Sequence, residues 1–468
     1  MTASTPRLWV GFLTLISTAL MLISAGLYNG FPLVTSDTGT YLESGIHRVV
    51  PDDRPITYGL FTQITSLQFT LWLVIFAQGL LLGWLLLHYV RVLAPRLRHY
   101  PALQVLLIAL AVWLTGASWF CSQLMPDIFT AMGILALGLL LMGVALGWKE
   151  RLGLLAITLL AALMHSSNLL TFTLVVLSFG GTAWITGVFE KGLVKRVQWA
   201  VTTAVVLAGW LVLPSIHAAF GGGFVISKAS PAFLMGRLIE AGIMDNFLSR
   251  NCQAGNEYSL CAFRDNLPND AIGFLWDSNS PLIKTGGWQA HTDEYKYIIR
   301  EVLTSPRYYP YLVSETVQAT LRQLTHIGHG DGLTPFRENT NPYWKVSDLA
   351  YYELKEYMTS LQNRGALDFS ALNERTYTTH LLAVAVLAGL LLTGLRRLLT
   401  PSAILVVVIL SLGVVSNAVV TGGLANVLDR LQARVSWVMP FVALLLVVQY
   451  GPAILRRAWQ RLGIGSLS

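Results

Sequence analysis

Charge is what this chain has least of. Only 12% of its 468 residues are Asp, Glu, Lys or Arg, while 54% are hydrophobic and the mean hydropathy is +0.57. Soluble domains carry roughly 25% charged residues, and half that supply cannot cover a water-exposed globule of 51.4 kDa. Cysteine is almost absent, and three residues exclude a secreted disulfide scaffold. No Cys/His spacing of the metal-binding type occurs. Sustained period-2 alternation is missing too, which argues against strands. What the chain does have is 14 Trp, 17 Tyr and 19 Phe among long apolar runs, which excludes disorder. The class left standing is an all-α polytopic membrane protein.

The net charge of +7 does not indicate nucleic acid. Residues 220–377 hold 14 Lys/Arg and 17 Asp/Glu, so the excess lies elsewhere, at the ends of apolar runs. There it orients helices in a bilayer, and no basic face for nucleic acid exists.

A spanning helix needs about 20 mostly apolar residues. Such runs are Leu8–Leu27, Leu67–Tyr89, Pro101–Trp119, Asp127–Gly147, Val197–Ala219, His380–Leu395, Ala403–Thr421 and Val435–Leu455. The first is longer than a signal-peptide core and reads as an uncleaved anchor. Leu152–Phe189 is 38 residues without charge, too long for one span, and His165-Ser166-Ser167-Asn168 interrupts it. Splitting it into 152–164 and 169–189 gives about ten spans. With the N-terminus inside, 14 basic residues fall in the inner segments and only Arg48, Arg54, Arg430 and Arg434 in the short outer loops. A fused span would put Lys191, Lys195 and Arg196 outside and break that asymmetry.

The expected organisation is therefore a membrane module over 1–219 with about seven spans, an extracytoplasmic, mainly helical domain over 220–377, and a three-span module over 378–468. Within the middle domain Ser230-Pro231, Ser305-Pro306 and Ser347-Asp348 read as helix starts, and Gly365 as a stop. Cys252 and Cys261, nine residues apart in an oxidising compartment, are expected to pair, a bond contributing about 2.5–3 kcal/mol by loop-closure entropy. Cys121 is left unpaired.

Four polar clusters then share the outer face. Asp37, in Ser36-Asp37-Thr38-Gly39-Thr40-Tyr41, is a candidate general base or metal ligand beside a glycine that admits a ligand, or else the N-cap of the helix carrying Glu43. Asp127, after Ser122–Pro126, lies in the first turn of its span, where the helix dipole also favours an acid. At His165–Asn168 a restarting helix would present free N–H groups to an anion, or form a capped re-entrant turn. Arg430 and Arg434 would share one helix face and suit bidentate phosphate binding, or pair with Asp429 and snorkel to headgroups.

This arrangement resembles the GT-C superfamily of glycosyltransferases, multi-span enzymes that take sugar from a polyprenyl-phosphate donor at the outer membrane face. The resemblance rests on Asp37 after the first span, the Asp53-Arg54-Pro55 run before the second and Asp127 at the fourth, and covers mainly the first 190 residues. An Asp-x-Asp or Glu-x-Asp pair in the first loop and the Trp-Trp-Asp signature of the oligosaccharyltransferase branch are absent. The combination with Asp429–Val435 also resembles bacterial multi-span proteins without an assigned activity. The glycosyltransferase resemblance implies an inner-membrane enzyme with Asp37 and Asp127 as catalytic acids, or as ligands of a divalent cation. Arg54, His165, Asn168, Arg430 and Arg434 would then hold the donor phosphate. A transporter or flippase and a non-catalytic scaffold are the competing readings. Convergence of the polar groups on one face favours the enzyme, and a polar path through the bundle favours transport.

Overall fold

The structure is a computed structural model that describes residues 5–252 and 258–461. The ends of the two membrane modules, 1–4 and 462–468, and residues 253–257 inside the cysteine loop lie outside the described residues. Among the described residues every regular element is a helix. Each apolar run named above becomes one: Thr5–Leu22, Trp72–Leu93, Pro101–Thr115, Asp127–Leu141, Trp148–Met164, Ser166–Ile185, Arg196–Ala219, Ser370–Leu392, Pro401–Leu424 and Val438–Arg461. Six helices are long and apolar enough to cross a membrane by length and composition; Trp9–Leu22, Pro101–Thr115 and Asp127–Leu141 are apolar but shorter.

Local chemistry explains the boundaries. The break in Leu152–Phe189 falls at His165, whose extended backbone (φ −145°, ψ 133°) separates Met164 from Ser166, so the second helix starts three residues earlier than its apolar run suggests. Gly116, at φ +68°, ends the Pro101–Thr115 helix four residues short of the expected Trp119. The run beginning at Leu67 forms a helix only from Trp72, because Leu67 and Gln68 adopt left-handed φ values of 53° and 54°. That turn is held by the buried carboxylate of Glu353, which accepts from Leu71 N at 3.0 Å and from the Thr70 hydroxyl.

The Asp127–Leu141 helix is buried on every side. A helix apolar all round belongs in the middle of a bundle, and it contacts the 72–93, 148–164 and 401–424 helices. The segment 220–377 divides between two cores. Residues from Ala232 to Tyr308 form a separate core around Met235, Phe247, Phe274 and Ile298. Val346, Ala350 and Tyr357 instead join the main bundle core, and the Tyr309–Thr325 helix packs along the Pro401–Leu424 helix. Cys252 and Cys261 are disulfide-bonded at the edge of the smaller core, and Cys121 is free and buried. Ser347-Asp348 does not start a helix: it lies inside Asn341–Leu349, which begins earlier with Pro342 in its first turn. Gly365, at φ +70°, does end a helix, the short Leu361–Arg364.

Candidate functional site

Asp37 and Asp127 are 90 positions apart, and backbone pairing brings their loops together. Leu33 N donates to Ser122 O and Leu124 N to Leu33 O, both at 2.9 Å, forming an isolated parallel bridge at Leu33–Gln123. The Thr38 hydroxyl adds a 3.3 Å bond to Leu124 O. Gln362 locks the other edge, accepting from Val34 N at 3.1 Å and donating to Val34 O at 2.7 Å. Arg54 reaches the same place because the helices Thr38–His47 and Thr57–Ser66 cross in near contact at Gly45 and Gly59. A Cβ on Gly45 would lie 2.1 Å from Gly59 O, so neither position admits a side chain without moving the helices.

Asp37 stands at the head of the Thr38–His47 helix, yet its carboxylate makes no cap hydrogen bond. Instead it faces two guanidiniums, Arg54 Nη1 at 3.2 Å and Arg430 Nη2 at 3.4 Å. Its capping role is thereby replaced by ion pairing. Burial alone would raise the pKa of Asp37. Arg54 and Arg430, with hydrogen bonds from Arg54 and Ser36, outweigh burial and hold it below the usual carboxylate value. Arg54 is itself oriented by Asp53, at 3.0 Å to Nε and 2.5 Å to Nη2, and lies over the Tyr41 ring at 5.2 Å. Gly39 serves packing, not ligand access: a Cβ there would sit 2.9 Å from the Asn341 side chain.

Asp127 Oδ1 accepts from Arg434 Nη1 at 2.8 Å, and Arg430 Nε lies 3.8 Å from Asp127 Oδ2. Both arginines of the Asp429–Ser436 helix therefore reach one carboxylate, as their i,i+4 spacing allows. Arg434 spends Nη2 on Ser167 Oγ (3.2 Å) and Asn417 Oδ1 (3.0 Å), and its side chain is 0% exposed. The Asp127 side chain is 2% exposed, whereas Asp37 and Arg430 retain 23% and 19%. Asp429 pairs with neither arginine; it accepts from Gly328 N at 3.1 Å.

At the helix break, His165 Nδ1 accepts from Ser167 N at 3.2 Å and lies 2.8 Å from Ser167 Oγ. A nitrogen that accepts a backbone N–H carries no proton, so the ring is neutral with its hydrogen on Nε2. Ser167 thus joins His165 to Arg434. Asn168 is fully buried and committed, accepting from Thr130 Oγ1 and donating to Ala161 O, each at 2.8 Å. It braces the re-entrant turn and, fully buried, presents no donor to an anion at the surface.

Arg430 fills the space between the two carboxylates, so Asp37 and Asp127 share no open position for a divalent cation. Among the described residues no group of three His, Cys, Asp or Glu could hold a metal. Two further groups escaped the sequence reading. Asp331 accepts from Arg430 N at 3.1 Å, and Gly332 lies beside the Arg430 guanidinium, where a Cβ would sit 3.6 Å from Nη1. Both belong to Gly328-His329-Gly330-Asp331-Gly332, where alternating glycines around a His and an Asp were the available signal. Burial pushes the pKa of His329, within this loop, down to about 4, so it is neutral. The second missed group is Asn417, the one carboxamide in a long, largely apolar helix. No protein-family model, no curated protein and no solved structure matches the chain.

Proposed function

We propose that this protein is a membrane glycosyltransferase that takes a sugar from a polyprenyl-phosphate donor. In this reading the chain crosses a bacterial inner membrane about ten times, with the N-terminus inside and the charged cluster on the extracytoplasmic side. The observation that carries it is Arg430, held 3.4 Å from the partly exposed Asp37 and 3.8 Å from the sealed Asp127. A phosphate-recruiting guanidinium beside an accessible carboxylate is what transfer from a phospholipid-type donor needs. In the membrane helices charged side chains occur only near the ends, which favours chemistry at one face over a transport path.

Asp37 takes the proton of an acceptor hydroxyl. That oxygen bonds to the anomeric carbon while the bond from this carbon to the phosphate oxygen breaks, and the polyprenyl phosphate leaves with the electron pair. Arg54 and Arg430 offset the charge growing on the leaving group. The same two guanidiniums keep Asp37 weakly basic in the free protein. A donor phosphate competes for them, and drawing them away makes the carboxylate a better base when the substrate is present. Asp127, Arg434 and Ser167 position Arg430 and do not touch substrate.

The test uses the full-length protein in nanodiscs with farnesyl phosphate as a short donor mimic. Saturable binding is expected, with farnesol failing to compete and Arg430→Ala losing at least tenfold in affinity. Equal binding of phosphate and alcohol would end the donor assignment. For topology, Lys191→Cys should resist an impermeant thiol reagent applied from outside, and labelling there would break the ten-span arrangement.

A further inference from the structure

The end of the bundle away from the acid–arginine cluster carries a second site. A cavity of about 340 Å³ lies between the loop after the Asp127–Leu141 helix, the start of the Trp148–Met164 helix and the start of the Arg196–Ala219 helix. Its walls are apolar at Leu140, Leu155, Val197 and Val201, and its cations are Arg151 and Lys195. Gly143 and Leu193 close one side in tight contact, since a Cβ on Gly143 would meet Leu193 O at 2.2 Å. Gln198 braces the floor by donating to Leu140 O at 2.8 Å.

Among the described residues the two cations have no acidic partner. Between Ile128 and Ala219 the sequence contains only Glu150 and Glu190 as acids. Glu150 is engaged by Arg91 at 2.9 Å and faces His88 at 3.4 Å, and Glu190 is engaged by Arg196 at 2.8 Å. Lys149 lies over the Trp148 ring, and Lys191 donates to Thr186 O. Arg151 and Lys195 alone turn unpaired charge towards an apolar cavity. Trp148 and Trp184 are exposed at this same end, as aromatic residues are at the level of lipid headgroups.

We infer that this cavity is a binding site for an anionic phospholipid, its phosphodiester between Arg151 and Lys195 and an acyl chain along Val197 and Val201. Basic pockets between membrane helices select anionic headgroups in this way. The inference is independent of the glycosyltransferase reading, because none of these residues belongs to the acid–arginine cluster.

The experiment measures lipid retention by native mass spectrometry on delipidated full-length protein. Dioleoyl phosphatidylglycerol, dioleoyl phosphatidylcholine and inorganic phosphate are added separately. Phosphatidylglycerol should bind at least tenfold more tightly than phosphatidylcholine. Each near-surface cation contributes about fivefold, so Arg151→Ala with Lys195→Ala should cost about 25-fold. The charge-preserving exchange Arg151→Lys with Lys195→Arg should restore binding, and Lys149→Ala should leave it unchanged. A melting curve of each variant reports that the fold is intact. Equal affinity for the two lipids, or an unaltered double alanine variant, overturns the site. Displacement of phosphatidylglycerol by millimolar inorganic phosphate would assign the cavity to a free anion and overturn the lipid.

Discussion

The charged cluster has a rim and a floor, and the two are built on opposite terms. At the rim, Asp37, Arg54 and Arg430 remain partly open, with contacts of 3.2 and 3.4 Å that a competing anion can rearrange. At the floor, Asp127 and Arg434 meet at 2.8 Å with no exposure at the arginine, and Ser167 and Asn417 take up its other amino group. A shorter contact, deeper burial and acceptors on both Arg434 amino groups make the floor a fixed part. Arg430 belongs to both, since one guanidinium faces Asp37 and Asp127 together. The same two residue types therefore build two kinds of contact: looser, partly open pairs at the rim, and sealed pairs that hold them in place.

The largest effect should come from breaking the floor. Arg434→Met leaves the buried Asp127 carboxylate with only its longer 3.8 Å contact to Arg430, and breaking a buried pair typically costs about 3–5 kcal/mol. The expected result is a large loss of folded protein in size-exclusion chromatography, accompanied by a fall in the melting temperature. Adding Asp127→Leu should recover much of it, because a sealed pair replaced by apolar groups is close to neutral. If Arg434→Met folds normally, the rim and floor are not distinct. At the rim the opposite pattern is expected: Asp37→Asn should fold and still bind farnesyl phosphate while transfer falls by about 10²–10⁴, the usual cost of losing a positioned base. A fully active Asp37→Asn protein would reduce Asp37 to an anchor for Arg54 and Arg430.

Much of this was legible in the sequence, because hydrophobic length and interruption are local properties. The apolar runs and the break at His165 follow from residues within one or two turns. Asp37, Asp127, Arg430 and Arg434 stood out as charges at the ends of apolar runs. Their division of labour did not. Arg430 meets Asp37 across 393 positions and Arg434 meets Asp127 across 307, and no periodicity carries a pairing over that distance. Gly39 reads equally as ligand access or as packing until Asn341 is seen against it. Asn168 reads as an anion site only until it is found fully buried and bonded to Thr130 and Ala161. Ser347 fails as a helix start because Thr340-Asn341-Pro342, upstream, already begins one.

The smaller core offers a contrast of intermediate size. Opening the Cys252–Cys261 bond with Cys252→Ser and Cys261→Ser should destabilise the 232–308 unit by about 2.5–3 kcal/mol. Neither rim nor floor contacts that core, so farnesyl phosphate affinity should stay within twofold of the unmodified protein. A parallel loss of binding would show that the two cores are energetically one.

The smallest effect separates rim from bulk carboxylates through pH. Asp37 is held below the ordinary carboxylate pKa, because Arg54 and Arg430 outweigh its burial. A group whose folded pKa is depressed stabilises the fold above its unfolded pKa, about 3.9, and loses that contribution as pH falls through the folded value. Between about pH 5 and pH 8 Asp37 is therefore ionised in both states and contributes no slope. The acid limb of kcat/KM, which reports the free protein, should lie below the ordinary carboxylate range, well under where an unpaired carboxylate in an apolar surround would titrate. Arg430→Ala removes one of the two opposing charges and should move that limb upward, while Asp37→Asn should abolish it. A limb that stays in place in Arg430→Ala would mean the guanidinium does not act on Asp37, and the rim would lose the coupling on which its proposed chemistry depends.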